Sequence, residues 1–408
     1  MRYKVKKIRH PRYNNHLLPI LVDTHDNNYP LPSAALWGFD LWHNKPLNTV
    51  NARLQDLAVF YEHITTNYPA FFEDAAKIKL LTHRQITIIT SALLINHHYT
   101  IEEAVLVKPS TFNRRLDSVA QFLTFHYSRY IDRLNDLDRM NECRKQLFAM
   151  IARLRKKKYS KSEVEIHTDQ AKALSDKEIE IIRDIVRPSE IDFVNEVNPF
   201  RSKLQRRNAC AILLLIELGC RAAELILIKV NDKQVKLTTN PTVVITAEDN
   251  NSNNHRGRAD AASHKTRGRE LPISTGLADL LLDYIEIDRP TLRLPFNGKM
   301  TDYLFISETD GGAMTTSGLA YLIDSLYRKI PALQNAIHPH RLRVTRGIQV
   351  RDAIDQEYDG TNSPMIKAGD MQDTLTTWGG WSSNSSMPRR YTNELLQKKL
   401  SEYLAKES

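Results

Sequence analysis

Arg221, the run His340-Arg341-Leu342-Arg343, and Trp381 followed ten residues later by Tyr391 are the positions in this chain whose side chains could act together chemically. A guanidinium fork matches two non-bridging phosphate oxygens, so two arginines and a histidine can neutralise a phosphate. A tyrosine hydroxyl can attack the same phosphorus once a neighbour takes its proton. Arg221 comes just after Gly219, and a helix break followed by a new helix start would set its guanidinium beside unpaired backbone N–H groups. His340 and Arg343 are three residues apart and share one helical face. Cleaving a phosphodiester without metal or water takes a nucleophile, cations on the non-bridging oxygens, a proton acceptor, and an acid for the leaving 5′-oxygen. Taken singly, each residue also has an ordinary reading as a surface or core position. In combination they point to DNA strand cleavage through a phosphotyrosine.

Composition agrees with a polyanionic partner. The 408 residues carry 57 Lys and Arg against 48 Asp and Glu, a formal charge of +9, and cations that replace counterions on phosphates gain affinity. A hydrophobic fraction of 41% is enough for a packed core and argues against wholesale disorder. The length predicts two domains, with room for a third small one. Cys143, Cys210 and Cys220 form no Cys-x-x-Cys pair, so neither a disulfide framework nor a zinc site is expected. No metal or cofactor is expected either. The basic N-terminus precedes too short an apolar stretch for a signal peptide or spanning helix, so a soluble, cytoplasmic, nucleoid-associated protein without a membrane partner is expected.

The elements that must position these residues are mostly helical. Residues 1–47 read as an N-terminal extension broken by prolines, with a possible strand at Leu17–Val22 and a short helix at Ser33–Trp42. Residues 48–158 read as a helical domain. Leu54, Leu57, Phe60 and Ile64 mark one helix, Leu116, Val119, Phe122 and Leu123 a second, and Leu147, Met150, Ile151 and Leu154 a third. Arg153, Arg155, Lys156, Lys157 and Lys158 make the strongest positive run, a solvated helix end and equally a basic strap for DNA. Residues 159–174 read as a basic, polar linker. A new unit, 175–391, begins at the capping pair Ser175 and Glu178, and Ala209–Ile216 is apolar enough to be a buried central helix ended by Gly219. Strands are expected at Val235–Leu237, Thr242–Thr246 and Glu270–Ile273, with a long basic loop before the last. Residues 392–408 form an amphipathic helix for packing on its own domain or on a neighbouring subunit.

Four segments then resemble one family, the tyrosine recombinases or phage integrases. LGCRAAELILIKVND (218–232) is similar to that family's first arginine box, and HRLRVT (340–345) to its histidine-x-leucine-arginine-x-threonine box. HKTRGRELPI (264–273) resembles its β-hairpin lysine turn, and GGWSSNSSMPRRY (379–391) its tyrosine box. The resemblance implies a helical core-binding domain at 48–158, which would clamp the DNA, and a mixed, mainly α catalytic domain with a small antiparallel sheet. It also implies roles. Tyr391 would be the nucleophile, and Arg221 and Arg343 would hold the scissile phosphate. His340 would assist proton transfer, Lys265 would protonate the 5′-oxygen, Trp381 would donate its indole N–H, and Glu224 would support the arginine. Arg267 and Arg269, beside the lysine, are taken as DNA contacts together with the positive run. The implied partners are duplex DNA, further copies in a homotetramer on a synapse, and accessory DNA-bending proteins. The implied setting is integration or excision of a mobile element.

The sequence departs from the pattern twice. One extra residue separates Trp381 from Tyr391. The stretch between Arg343 and Trp381 is long, so Glu357–Leu375 is expected as a surface insertion, which costs little loop-closure entropy. Two rival readings share the chemistry or the fold: a type IB topoisomerase, and a DNA-binding protein that no longer cleaves.

Overall fold

In the computed structural model the described residues are 1–96, 105–166, 173–247, 258, 260, 262–264, 266–292, 298, 300–331, 333, 336–358, 364–392, 395–396 and 401, with the side chains of 165, 166, 364 and 390 excepted. Lys265 and most of the C-terminal segment 392–408 lie outside them. The chain forms two compact units, residues 1–169 with 253–261, and residues 170–252 with 262–408.

The first unit opens with an antiparallel sheet, β1 (Tyr3–Arg9), β2 (Leu17–Asp23) and β3 (Tyr29–Pro30), in that order. The expected strand at Leu17–Val22 is β2, whereas β1 is strand the sequence hid. Lys4, Lys6, Lys7 and Arg9 mask its alternation, and only Tyr3 of the seven residues is fully buried. Helices follow at α1 (Pro32–Asn44), α2 (Leu47–Asn67), α3 (Phe71–Ala76), α4 (His83–Leu94), α5 (Pro109–Ile131), α6 (Leu137–Arg155) and α7 (Lys161–Ile166). The three apolar stripes expected from periodicity all face one core on α2, α5 and α6. Tyr3, Leu21 and Trp37 join that core, so residues 1–47, read as an extension, share the helices' interior. Helix α4 begins in a capping box, with Gln85 N–H donating to Thr82 Oγ1 and Thr82 N–H donating to Gln85 Oε1.

The second unit starts as expected. Ser175 and Glu178 close a capping box on α8 (Asp176–Val186), which buries Ile179, Ile182 and Val186. α9 (Ser202–Leu218) is the central helix, with Ala209, Cys210, Ala211, Leu214 and Leu215 fully enclosed. Burial pushes the Cys220 thiol, just beyond it, up to about 12, so it is an inert core residue. α10 (Ala222–Ile226) follows, then an antiparallel sheet in the order β4 (Val235–Lys236), β5 (Thr242–Ile245), β6 (Arg269–Pro272), within a residue or two of the expected strands. α11 (Thr275–Asp283), α12 (Thr316–Tyr327), α13 (Pro339–Glu357), α14 (Pro364–Gly379) and α15 (Met387–Tyr391) complete it. The expected insertion at Glu357–Leu375 is therefore largely helix. Residues 359–363 lie outside the described residues; the helix after them buries Met371 and Leu375 in the core, leaves Met365 and Ile366 exposed, and carries Trp378 one turn later.

Candidate active site

The site is built where α9 and α14 end and where α10, α13 and α15 present their side chains. α9 stops at Gly219, whose φ of +58° suits glycine, and a Cβ there would sit 2.6 Å from the Trp378 ring and 2.7 Å from Arg346 Cβ. That stop aims Arg221 from the N-cap of α10. Its backbone N–H donates to Glu224 Oε2 at 2.9 Å and its Nη1 to Glu224 Oε1 at 3.0 Å. Arg343 projects from the second turn of α13, which His338 caps by accepting from Arg341 N–H. α14 ends at Gly379, and Gly380 at φ +66° turns the chain so that Trp381 N–H reaches Thr376 O at 2.9 Å. A Cβ on Gly380 would lie 2.8 Å from Arg267 O and from Arg269 Nη1, so the β6 strand start packs directly on this turn. α15 then presents Tyr391.

Arg343 is the hub. It is 1% exposed. Nη1 donates to Gly219 O at 2.7 Å and Nη2 to Gly379 O at 3.0 Å, which ties together the ends of α9 and α14. Its guanidinium lies 4.9 Å from the Trp378 ring centroid and 5.2 Å from those of Trp381 and Tyr391. Burial, and next the Arg221 charge, push its pKa down, against the pull of Glu224. The Tyr391 ring stacks on Trp381 at 5.1 Å and meets His340 edge-on at 5.4 Å, and the exposed His340 stacks on His338 at 6.2 Å. Trp378, which unlike Trp381 does not follow the Gly379–Gly380 pair, donates Nε1–H to Leu218 O at 2.9 Å and serves as the wall. Four buried donors in and around this cluster, Arg269 Nε, Arg343 Nε, Arg346 Nε and Trp381 Nε1, have no hydrogen-bond partner among the described residues. Buried donors are nearly always paired, and of these four Arg343 Nε and Trp381 Nε1 belong to side chains that lie against the Tyr391 ring.

Glu224 anchors the cations. It is 1% exposed and accepts from Arg221, from Thr266 Oγ1 at 2.6 Å and from Arg269 Nη2 at 2.7 Å, with Arg343 Nη1 at 3.8 Å. Burial works against its charge, but Arg269 first, then Arg343 and the Thr266 hydrogen bond, outweigh that and hold the carboxyl at about 2. Three guanidinium groups around one carboxylate leave an excess of positive charge.

The structure thus gathers Arg221, Glu224, His340, Arg343, Trp381 and Tyr391 into one cluster. Lys265 falls outside the described residues, while Thr266 beside it bonds to Glu224. Arg267 is exposed. Arg269 is not a DNA contact, because it is buried and engaged by Glu224 and Thr266. The signal was present in the strand period. Arg269 is in phase with Leu271, opposite the buried Ile245, and therefore sits on the core face of β6. In the first unit, Arg153, Arg155, Lys156 and Lys157 are exposed at the end of α6, and Lys158 lies 2.7 Å from the Asp117 carboxylate.

No family model matches the sequence, and no curated protein does. The fold does have solved counterparts. A XerH site-specific recombinase bound to palindromic difH substrate, in a post-cleavage complex, superposes with a TM-score of 0.54 at 16% identity over 92% of this chain and 85% of that one. The same recombinase bound to difH in a pre-cleavage complex gives 0.51 at 16% identity, over 92% and 86%. This chain has the fold of XerH. The mainly helical architecture with a small antiparallel sheet in the second unit is the fold class expected from the sequence. No described helix is long and apolar enough to cross a membrane.

Proposed function

We propose that this protein is a site-specific tyrosine recombinase that cleaves and rejoins duplex DNA through a 3′-phosphotyrosine on Tyr391. The observation that carries the reading is the pair of buried, unpartnered donors, Arg343 Nε and Trp381 Nε1, packed around the Tyr391 ring. A scissile phosphate would satisfy both. Arg221 and the spare N–H groups of Arg343 would hold its non-bridging oxygens, already fixed in place and so needing little reorganisation as charge develops. Tyr391 Oη would bond to phosphorus while the bond to O5′ breaks. The tyrosine proton would leave toward His340, and Lys265 would deliver a proton to O5′. Because the phosphotyrosine is a phosphodiester of similar energy, attack by a 5′-hydroxyl would reverse the step without ATP or metal.

The XerH counterparts are complexes with difH DNA, which supports duplex DNA as the substrate here; a homotetramer on a DNA synapse is the working assembly of this reading. Integration or excision of a mobile element, with accessory DNA-bending proteins, is the setting that fits the integrase-like boxes.

Duplexes drawn from the DNA flanking the gene, nicked beside each candidate cut so that a released fragment diffuses away, test the proposal. The wild-type chain is expected to yield a detergent-resistant, protease-sensitive protein–DNA adduct, and Tyr391→Phe none. An adduct that survives in Tyr391→Phe, or binding without any adduct across the flanking DNA, overturns the reading.

A further inference from the structure

Resting on that function, we propose that Arg269 is a positioning residue whose task is to saturate Glu224, so that the buried carboxylate does not draw Arg343 away from the phosphate site. Glu224 is enclosed and has two oxygens. Oε1 is taken by Arg221 Nη1 and Thr266 Oγ1, and Oε2 by Arg221 N–H and Arg269 Nη2. Arg343 Nη1 stands at 3.8 Å from that same Oε2, outside hydrogen-bond distance, and donates instead to Gly219 O. The Arg269–Glu224 pair is among the most deeply buried in the protein, with both side chains at 2% exposure or less. A carboxylate left short of a cation in such a place recruits the nearest one, because an uncompensated buried charge is costly. The nearest remaining candidate is Arg343, and about one ångström of travel brings it within bonding distance. Doing so would break its bonds to the carbonyls of Gly219 and Gly379, which set the guanidinium against Tyr391.

Arg269 also packs against the turn before Trp381, which the backbone of Arg267 holds to the strand start. Arg269 Nη1 donates to Thr266 Oγ1 at 3.1 Å, and Arg267 N–H donates to Gly380 O at 2.9 Å. Arg269 therefore acts on the reacting groups only through Glu224, Arg343 and this turn. It touches no substrate.

Two measurements decide the proposal. Crystal structures of the full chain with Arg269→Met, and with Arg269→Lys as the charge-retaining variant that guards against misfolding, read the geometry without any reaction. Arg343 is expected to close onto Glu224 and release Gly379 O in Arg269→Met, and to stay in place in Arg269→Lys. Arg343 unmoved in Arg269→Met overturns the proposal. The second is a double-mutant cycle on suicide-duplex cleavage. Arg269→Met is expected to lower the cleavage rate about 100-fold, the scale of losing one preorganised donor. In a Glu224→Gln background, where no carboxylate competes for Arg343, the same substitution is expected to change the rate less than about threefold. Defects that simply multiply would mean that Arg269 is only a structural residue. A wild-type chain that forms no adduct would sink the recombinase reading, while the crystallographic result would still decide the ion-pair proposal.

Discussion

At the scale of single residues, the site depends on how Arg343 is held. One guanidinium bonds two carbonyls that close two helices and lies against three aromatic rings. A lysine has neither the planar fork nor the spread of donors to do this. Arg343→Lys is therefore expected to lower suicide-duplex cleavage by about 100-fold or more, while DNA affinity by fluorescence anisotropy changes only a few-fold. Near-normal cleavage would show that His340–Thr345 is not the second phosphate-binding segment. That Arg221, His340, Arg343, Trp381 and Tyr391 belong together was legible in the sequence, because each proposed role restricts the residue type that can fill it, and the fold does bring them into one cluster. Arg269 was misjudged because a basic residue beside a lysine turn reads as surface unless its strand phase with Leu271 is counted. The choice of Trp381 over Trp378 was legible from the glycine pair before it, but the part Trp378 plays was not. Trp378 and Trp381 differ only in where a helix end and a glycine turn send their rings.

At the scale of elements, helices with strong local signals appeared where expected. The capping box at Ser175, the long apolar run of α9 and the glycine stop at Gly219 are encoded within a few residues of one another. Elements whose signals are weak or contradictory went unread. β1 is a basic strand whose one buried anchor is Tyr3, and α14 resembled a polar insertion until its packing on the core made it a helix. The end of α6 carries the expected positive run, with Arg153, Arg155, Lys156 and Lys157 all exposed. Changing these four together to glutamine is expected to weaken binding to any duplex. The slope of log affinity against log salt should then fall by roughly 0.9 for each phosphate no longer neutralised. An unchanged salt slope would assign the run to helix solvation alone.

At the scale of the molecule, the two units should respond to acid differently. His126 is fully buried between the rings of Phe122, Phe71 and Phe72, with Tyr127 and Tyr130 at its edges, and neither ring nitrogen has a hydrogen-bond partner among the described residues. Burial, with a smaller push from Arg129, lowers its pKa from 6.5 to about 4. A histidine depressed in this way stabilises the fold above its unfolded pKa, and that contribution is lost as pH falls from 6.5 toward 4. Between pH 7.5 and 5 the first unit is thus expected to lose about 2 kcal/mol from this residue. Glu224 in the second unit, held at about 2 against an ordinary 4.5, keeps its contribution down to about pH 4.5 and loses it only below. Hydrogen exchange read segment by segment should show α5 loosening before α9 as pH drops, and His126→Phe should remove most of that difference. Equal acid sensitivity in wild type and His126→Phe would contradict it.

By itself the sequence suggested the proposed chemistry and the order of its residues along the chain, because a candidate nucleophile, an arginine fork and a glycine stop are properties of single residues and short spacings. It also determined most helices and the second sheet, whose periods and caps are local. Only the tertiary structure decided what each group is bonded to. A chain cannot announce that Arg269 faces a carboxylate 45 residues away, that Arg343 is clamped by carbonyls from two helix ends, or that a long intervening stretch is a core helix. Those outcomes depend on burial, which turns an ordinary surface cation into the partner of an enclosed charge, and burial is a property of the assembled fold.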